Sequence, residues 1–277
     1  MARQNNLLRL TGSVGELVHY EHNGQFFTRA KPEEVHQSEN TQKASAEFGR
    51  ASTAASRLLK GFYPLLKFTA HRSAYNRLTR AFTNIMHNNT TKAIGKRIIT
   101  DGDPAPLHKF QFNDACALDH ALKIQLPPVR VVPKSAVCFD LPSFCPEDVC
   151  LEKPNATAIR IEIICMVSDF LLDEGTIFRF EELDLALENK SFEGGSVSIP
   201  LSHTNNKLLV WGMSVHYLSK NGVPYQNKKF TAFDIIDAFL IKKGERVVFP
   251  TPQQKTGTEE KEKSVEKLPW KFRKTEE

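Results

Sequence analysis

The chain has 277 residues, 40% of them hydrophobic and 25% charged, with a formal net charge of +5 at pH 7. That length suits two modest domains, and the composition is that of a folded globular protein rather than a largely disordered one. No apolar run approaches the ~20 residues of a bilayer-spanning helix, since the longest, Ala158 to Val167, is interrupted by Arg160 and Glu162.

The N-terminal stretch offers only Leu7 and Leu8 as an apolar centre, short of a secretory signal, so a cytoplasmic protein is expected. The five cysteines, Cys116, Cys138, Cys145, Cys150 and Cys165, are odd in number and read as reduced thiols. Charge is uneven. Residues 1–110 hold 16 Lys and Arg against 8 Asp and Glu (+8), residues 111–249 hold 14 against 18 (−4), and the remainder 7 against 6 (+1). A basic front and an acidic back imply either an anionic partner for the front or attraction between the two parts or between subunits.

In chain order, Val14 to Tyr20 and Gln25 to Arg29 are strand-like runs around Asn23-Gly24, predicting an N-terminal β-hairpin that Pro32 ends. Gly12 and Gly15 lack the lysine and following helix of a phosphate loop and read as turn glycines. Thr41 to Lys60 carries Phe48, Ala51, Ala55, Leu58 and Leu59 at helical spacing, with Gly61 as the expected stop. Pro64 suits the first turn of a second helix, whose apolar face is Tyr75, Leu78, Phe82 and Ile85 or Met86. The two are expected as a helical hairpin laid against the N-terminal strands. Their polar sides carry Arg50, Arg57, Lys60, Lys67, Arg72, Arg77 and Arg80, a candidate basic contact face that a phosphate backbone would fit.

Thr100 to Leu107 concentrates Gly, Pro and Asp and is the predicted domain boundary. Beyond it come short alternating strands: His108–Phe112, Leu122–Leu126, Ala136–Leu141, Thr157–Ser168, Thr176–Phe180 and Ser196–Leu201. A long hairpin closes the set. Leu209, Trp211, Met213, Val215 and Tyr217 alternate on its first strand, and Phe233, Ile235, Phe239 and Ile241 share one register on the return, interrupted by Asp237. Asp237 reads as a bulge, a hydrogen-bonded core carboxylate or a strand end. Asn221-Gly222 marks the turn within a longer polar loop. From Pro250 onward the chain is polar and nearly charge-balanced, a tail expected to be disordered, with Trp270 and Phe272 as its candidate docking residues.

The predicted fold class is therefore α+β: an N-terminal β-hairpin with a helical hairpin (residues 1–103), an antiparallel Ig-like β-sandwich (104–249) and a charged tail (250–277). Chemistry is scarce. The sequence has no G-x-S-x-G, H-E-x-x-H or paired C-x-x-C motif and no kinase set. Cys116 and His120, four apart beside Asp114 and Asp119, are the most metal-like grouping, but C-x6-C-x4-C over Cys138, Cys145 and Cys150 is not a structural zinc set. No catalytic residue, metal or cofactor is assigned.

The order of G-S-V-G-E-L-V-H-Y, N-G-Q-F-F-T-R-A-K-P, A-E-F-G-R-A-S, N-R-L-T-R-A-F, G-K-R-I-I and F-Q-F-N resembles the N-terminal half of an uncharacterised family of Bacteroidota hypothetical proteins. F-D-L-P-S-F-C-P-E-D-V, N-A-T-A-I-R-I-E and W-G-M-S-V-H-Y…N-G-V-P-Y resemble its C-terminal half, so the likeness spans Leu10 to Ile241. Gln42 to Ala46 departs from it, lying where a stretch richer in Arg, Glu and Asn is expected. The resemblance implies an architecture and no catalytic residues. The leading expectation is a non-enzymatic structural or protein-interaction subunit, part of a larger assembly, with a protein partner or self-association, no membrane contact and no small-molecule substrate. The alternatives are nucleic-acid binding through the Arg-rich helices and a hydrolase or carbohydrate-binding sandwich.

Overall fold

A computed structural model describes residues 2–4, 9–32, 37–66, 73–89, 91–133, 135–150, 155–170, 175–204 and 206–249. The chain is mixed α+β, with antiparallel sheets. Strands β1 (Ala2–Arg3), β2 (Gly12–Val14), β3 (Leu17–His22) and β4 (Gln25–Ala30) form a sheet in the order β1-β4-β3-β2. Helices α1 (Glu39–Leu66) and α2 (Ala74–Asn88) follow, then the short α3 (Leu118–Ala121). Strands β5 (Arg130–Val132) and β6 (Ala136–Leu141), the short helix α4 (Pro146–Val149), and β7 (Ala156–Ser168), β8 (Gly175–Arg179), β9 (Leu183–Ala186) and β10 (Gly195–Pro200) come next. The long pair β11 (Lys207–Ser219) and β12 (Thr231–Lys242) and the two-residue β13 (Glu245–Arg246) complete it.

The main body has three layers. A large sheet runs β13-β12-β11-β7-β8, with β9 also pairing β7, and a small sheet runs β10-β6-β5. Alternation along β11 decides which layer each residue meets. Leu209, Trp211, Met213, Val215 and Tyr217 share a core with Val137, Phe139 and Leu141 of β6 and Ile199 of β10. Leu208 and Val210 point the other way, into a core with Ala51, Leu58, Phe62, Leu78, Phe82 and Ile85 of the helices. At β7, β11 and β12 the sheet is buried on both faces over most of its length, which is why β7 and β11 read as nearly continuous apolar runs. A simple Ig-like sandwich has two wet outer faces; here helices cover one face of the large sheet. The helical pair is thus no separate N-terminal body. It shares one interior with β7, β11 and β12 across the expected boundary at residues 103/104.

Several expected boundaries move. Ser38 caps α1, its Oγ accepting from the Thr41 N–H at 3.2 Å. The helix does not stop at Gly61 but runs to Leu66 with Pro64 inside. Gly61 is a packing glycine: a Cβ there would lie 3.1 Å from Met166 Sδ and 3.3 Å from Ile177 Cδ1. Burial of Phe62, Leu65 and Leu66 offsets the hydrogen bond that Pro64 removes in the last turn. Phe48, placed on the core face from the sequence, is 60% exposed. Tyr75 is also exposed, its hydroxyl 2.6 Å from Ser52 Oγ. Of the expected strands, His108–Phe112 and Leu122–Leu126 are irregular segments joined to strands only by bridges and single bonds.

The return strand β12 corrects a further expectation. The β11–β12 register shifts between Trp211 and Gly212, so Trp211 opposes Asp237 while Gly212 opposes Ile235, leaving Ile236 as the extra residue of a bulge. Phe233 and Ile235 consequently face the helices, and Phe239 and Ile241 face the small sheet. One inserted residue splits what looked like a single apolar row.

Candidate functional site

The expected basic face resolves mostly into clamps. Arg50 donates from Nη1 to the Arg97 carbonyl at 2.8 Å and from Nη2 to that of Gly95 at 2.7 Å. Arg57 donates to the Phe170 carbonyl at 3.0 Å. Arg77 donates to the carbonyls of Gln111 at 2.6 Å and Phe112 at 3.3 Å and pairs with Asp114 at 2.7 Å. Guanidinium donors here satisfy carbonyls of loops laid against the helices. Lys60 and Arg80 are exposed but line different depressions, the first with Tyr63 and Tyr75, the second with Asn84 and Pro106. Lys67, Arg72, Trp270 and Phe272 lie outside the described residues. The five described members of that face, Arg50, Arg57, Lys60, Arg77 and Arg80, do not form one exposed phosphate-facing patch.

The N-terminal sheet has a different character. Its pairing puts Val18 and Tyr20 opposite Arg29 and Phe27 on one face, and Leu17, His19 and Glu21 opposite Ala30, Thr28 and Phe26 on the other. Tyr20 stacks on Phe27 with ring centroids 5.8 Å apart, Arg29 lies over Tyr20 at 5.8 Å, and Arg9 lies over Phe26 at 5.3 Å. Gln4 ties the sheet to the preceding loop: Leu10 N–H donates to its Oε1 at 3.0 Å, and its Nε2 donates to the carbonyls of Leu10 at 3.2 Å and Phe27 at 3.1 Å. No described residue of β2, β3 or β4 is buried, and neither core of the main body includes a residue of this sheet. Leu10, Val14 and Leu17 are exposed as well.

Buried polar groups of the body are mostly absorbed by structure. On the helix-facing side of the large sheet, Glu162 meets Arg179 at 2.9 Å, His216 Nε2 at 3.5 Å and the Ser214 hydroxyl at 3.5 Å. Burial opposes the charge of Glu162, but His216 and Arg179 together outweigh it and hold its pKa below the usual value. Ser214 and His216 are fully buried, so this serine, histidine and carboxylate form a sealed polar knot rather than an accessible triad. His216 is buried inside the large sheet's helix-facing side, with Glu162 as its carboxylate neighbour.

The bulge brings two carboxylates to one side of β12. Asp237 is held by Arg246 through two bonds of 2.9 and 3.0 Å and accepts from the Val129 N–H at 3.3 Å. Asp234 accepts from the Leu118 N–H at 2.8 Å, and Tyr217 donates to the Ala121 carbonyl at 2.8 Å. These three side chains pin the segment from Leu118 to Val129 across the sheet. Asp237 is thus both bulge-flanking and hydrogen-bonded, two of the roles the sequence left open. Asp234 was not singled out, and the only sequence signal was a second carboxylate, three residues before Asp237, in an apolar strand.

The cysteines are free thiols. Burial raises Cys150 to about 11 and Cys165 well above the ordinary thiol range, which suppresses the thiolate needed for reactivity. Cys116 Sγ lies 3.9 Å from His120 Nδ1, and among the described residues no three His, Cys, Asp or Glu side chains gather around one point. Among the same residues no helix is long and apolar enough to cross a membrane. Compared with protein-family models, curated proteins and solved structures, the chain matches none of them.

Proposed function

We propose that the protein is a non-enzymatic interaction subunit that self-associates through its N-terminal sheet, as part of a larger assembly. The observation that carries this reading is a four-stranded sheet whose aromatic side chains are paired and positioned while none of its described strand residues in β2–β4 is buried. A sheet normally needs one face against a core or partner. Charge supports a second copy as the partner, because the basic front carries a net +8 and residues 111–249 a net −4. Beside β8 and β9, at the edge of the large sheet, Glu181 lies exposed, and the exposed Glu182 and Asp184 are paired with Arg160. The two antiparallel sheets that share a core are read, in the same proposal, as an Ig-like sandwich to which a helical layer has been added.

The nucleic-acid alternative loses its main support, since three of its arginines are engaged with backbone carbonyls. The test is light scattering on the full chain over a concentration series, with the double variant Tyr20→Lys, Phe27→Lys as comparison. Concentration-dependent oligomers that the variant abolishes are expected. A natural chain that stays monomeric at the highest concentration reached overturns the proposal.

A further inference from the structure

The carboxylate of Asp234 lies on the wall of a cavity of about 360 Å³, enclosed by the irregular segments on either side of β12's open edge. One wall is the segment His108 to Gln111, which joins β12 through the Lys109 N–H to the Ile235 carbonyl and the Ile235 N–H to the Phe110 carbonyl, both 2.9 Å. The opposite wall is the pinned segment, contributing Leu118, Leu122, Ile124, Leu126, Pro127 and Pro128. The floor is β12 at its bulge, with Ile235 and Ile236. The bulge turns Asp234 to the same side as Asp237, so that the two carboxylates hold the far wall in place.

Within that largely apolar enclosure, Asp234 is 7% exposed. Its Oδ2 takes the Leu118 N–H and its Oδ1 has no hydrogen-bond partner, although an ionised carboxylate offers roughly four acceptor positions. Donors line the cavity without reaching Oδ1: His108, Lys109 and Gln111 stand exposed on the facing segment and Gln125 on the pinned one, while Asp119 is a second carboxylate on Asp234's own side and Arg77 of α2 is committed to carbonyls and Asp114. Oδ1 is shielded from water in this conformation; the terminal torsion of an aspartate is broad, and a ligand reaches Oδ1 only through a turn about it.

We propose that this cavity is a binding site for a small organic ammonium ion carrying an apolar body, with Asp234 accepting from the ammonium group and the leucine, isoleucine and proline walls covering the body. The chemistry follows from the walls themselves: a desolvated carboxylate oxygen that no lining donor reaches, beside leucine, isoleucine and proline side chains. A charge-assisted bond to Asp234 is stronger than a neutral one. Burial, with Asp119 adding to it and the Leu118 N–H and Arg77 opposing, raises the pKa of Asp234 to about 7, so an ammonium ligand binds more tightly as pH rises past that value and Asp234 ionises.

The test is calorimetric titration of the full chain with 2-phenylethylammonium, alongside the uncharged 2-phenylethanol, on both sides of pH 7. The ammonium probe is expected to saturate one site and to bind about tenfold more tightly than the alcohol above pH 7, an advantage that shrinks below it and disappears in Asp234→Asn. Ile236→Trp, which fills the cavity and leaves the carboxylate in place, is expected to abolish binding of both probes. Equal binding of the two probes, an unchanged ammonium affinity in Asp234→Asn, or no saturable binding to the natural chain overturns the proposal. Should Asp234→Asn fail to fold, the pH dependence of the ammonium-to-alcohol ratio on the natural chain decides, and a flat ratio overturns it. The outcome is independent of whether the N-terminal sheet mediates assembly.

Discussion

Strands β3 and β11 both place aromatic and branched residues on alternate positions, yet one lies in a sheet with no buried strand residue in β2–β4 and the other is buried almost end to end. The difference is coverage. The large sheet has helices on one side and the small sheet on the other, so both faces of β11 are closed, including the face that carries Gly212. The N-terminal sheet pairs its own aromatics and cations within each face and contributes nothing to either core. Alternation establishes that a strand has an apolar side. It does not establish that anything covers it, and a sheet left exposed by the described residues is suited to contact while a doubly covered one is suited to stability.

That contrast can be broken or sharpened by substitution. Phe62→Ala removes a fully buried ring that packs on Phe112 and Phe233 at 6.0 and 5.5 Å, and a loss of about 4 kcal/mol is expected in denaturant unfolding; a loss comparable to that of a surface change would show that the helices do not share the sheet's core. Asp234→Asn probes the body through pH. The folded pKa of Asp234 lies near 7, above its unfolded value, so its contribution is fully present below about pH 4 and is lost as pH rises through 7. The natural chain should fall behind the variant by on the order of 4 kcal/mol over that window, and parallel pH–stability curves would contradict the burial ascribed to it.

Gly212→Ala should come next, at about 2 kcal/mol, because its Cβ would lie 2.8 Å from Phe233 Cε2 and 3.1 Å from Phe62 Cε2, so that packed rings must give way. A neutral result would mean the helix-to-sheet spacing is looser than the geometry requires. Phe27→Ala should change global unfolding least, by less than about 1 kcal/mol, while reducing self-association measured by light scattering. A large stability loss there would mean that the N-terminal sheet is part of the cooperative body.

Particular elements show how far the sequence could be read. β6, β7, β8, β10, β11 and β12 were legible within a residue or two, because their alternation reflects burial that the strand itself imposes. The helices were legible as elements, but their faces were displaced: Glu47 is almost fully buried, accepting from the Gly95 N–H at 2.8 Å, while Phe48 beside it is exposed. Short edge strands such as β5 and β9 have too few residues to show a period. The cavity beside Asp234 was invisible, since its walls come from irregular segments whose positions depend on hydrogen bonds to residues more than 100 positions away.

By itself the sequence determined the α+β class, the succession of its principal strands along the chain and the hairpin from Lys207 to Ile241, because local periodicity and turn chemistry act over a few residues. Only the tertiary structure decided that Arg50, Arg57 and Arg77 serve backbone carbonyls rather than solvent, that a bulge at Ile236 turns two carboxylates to one side, and that the strands β7, β11 and β12 are covered twice while none of the described residues of β2–β4 is buried. Those outcomes depend on which surfaces meet after distant segments pack, and a one-dimensional pattern does not carry that information.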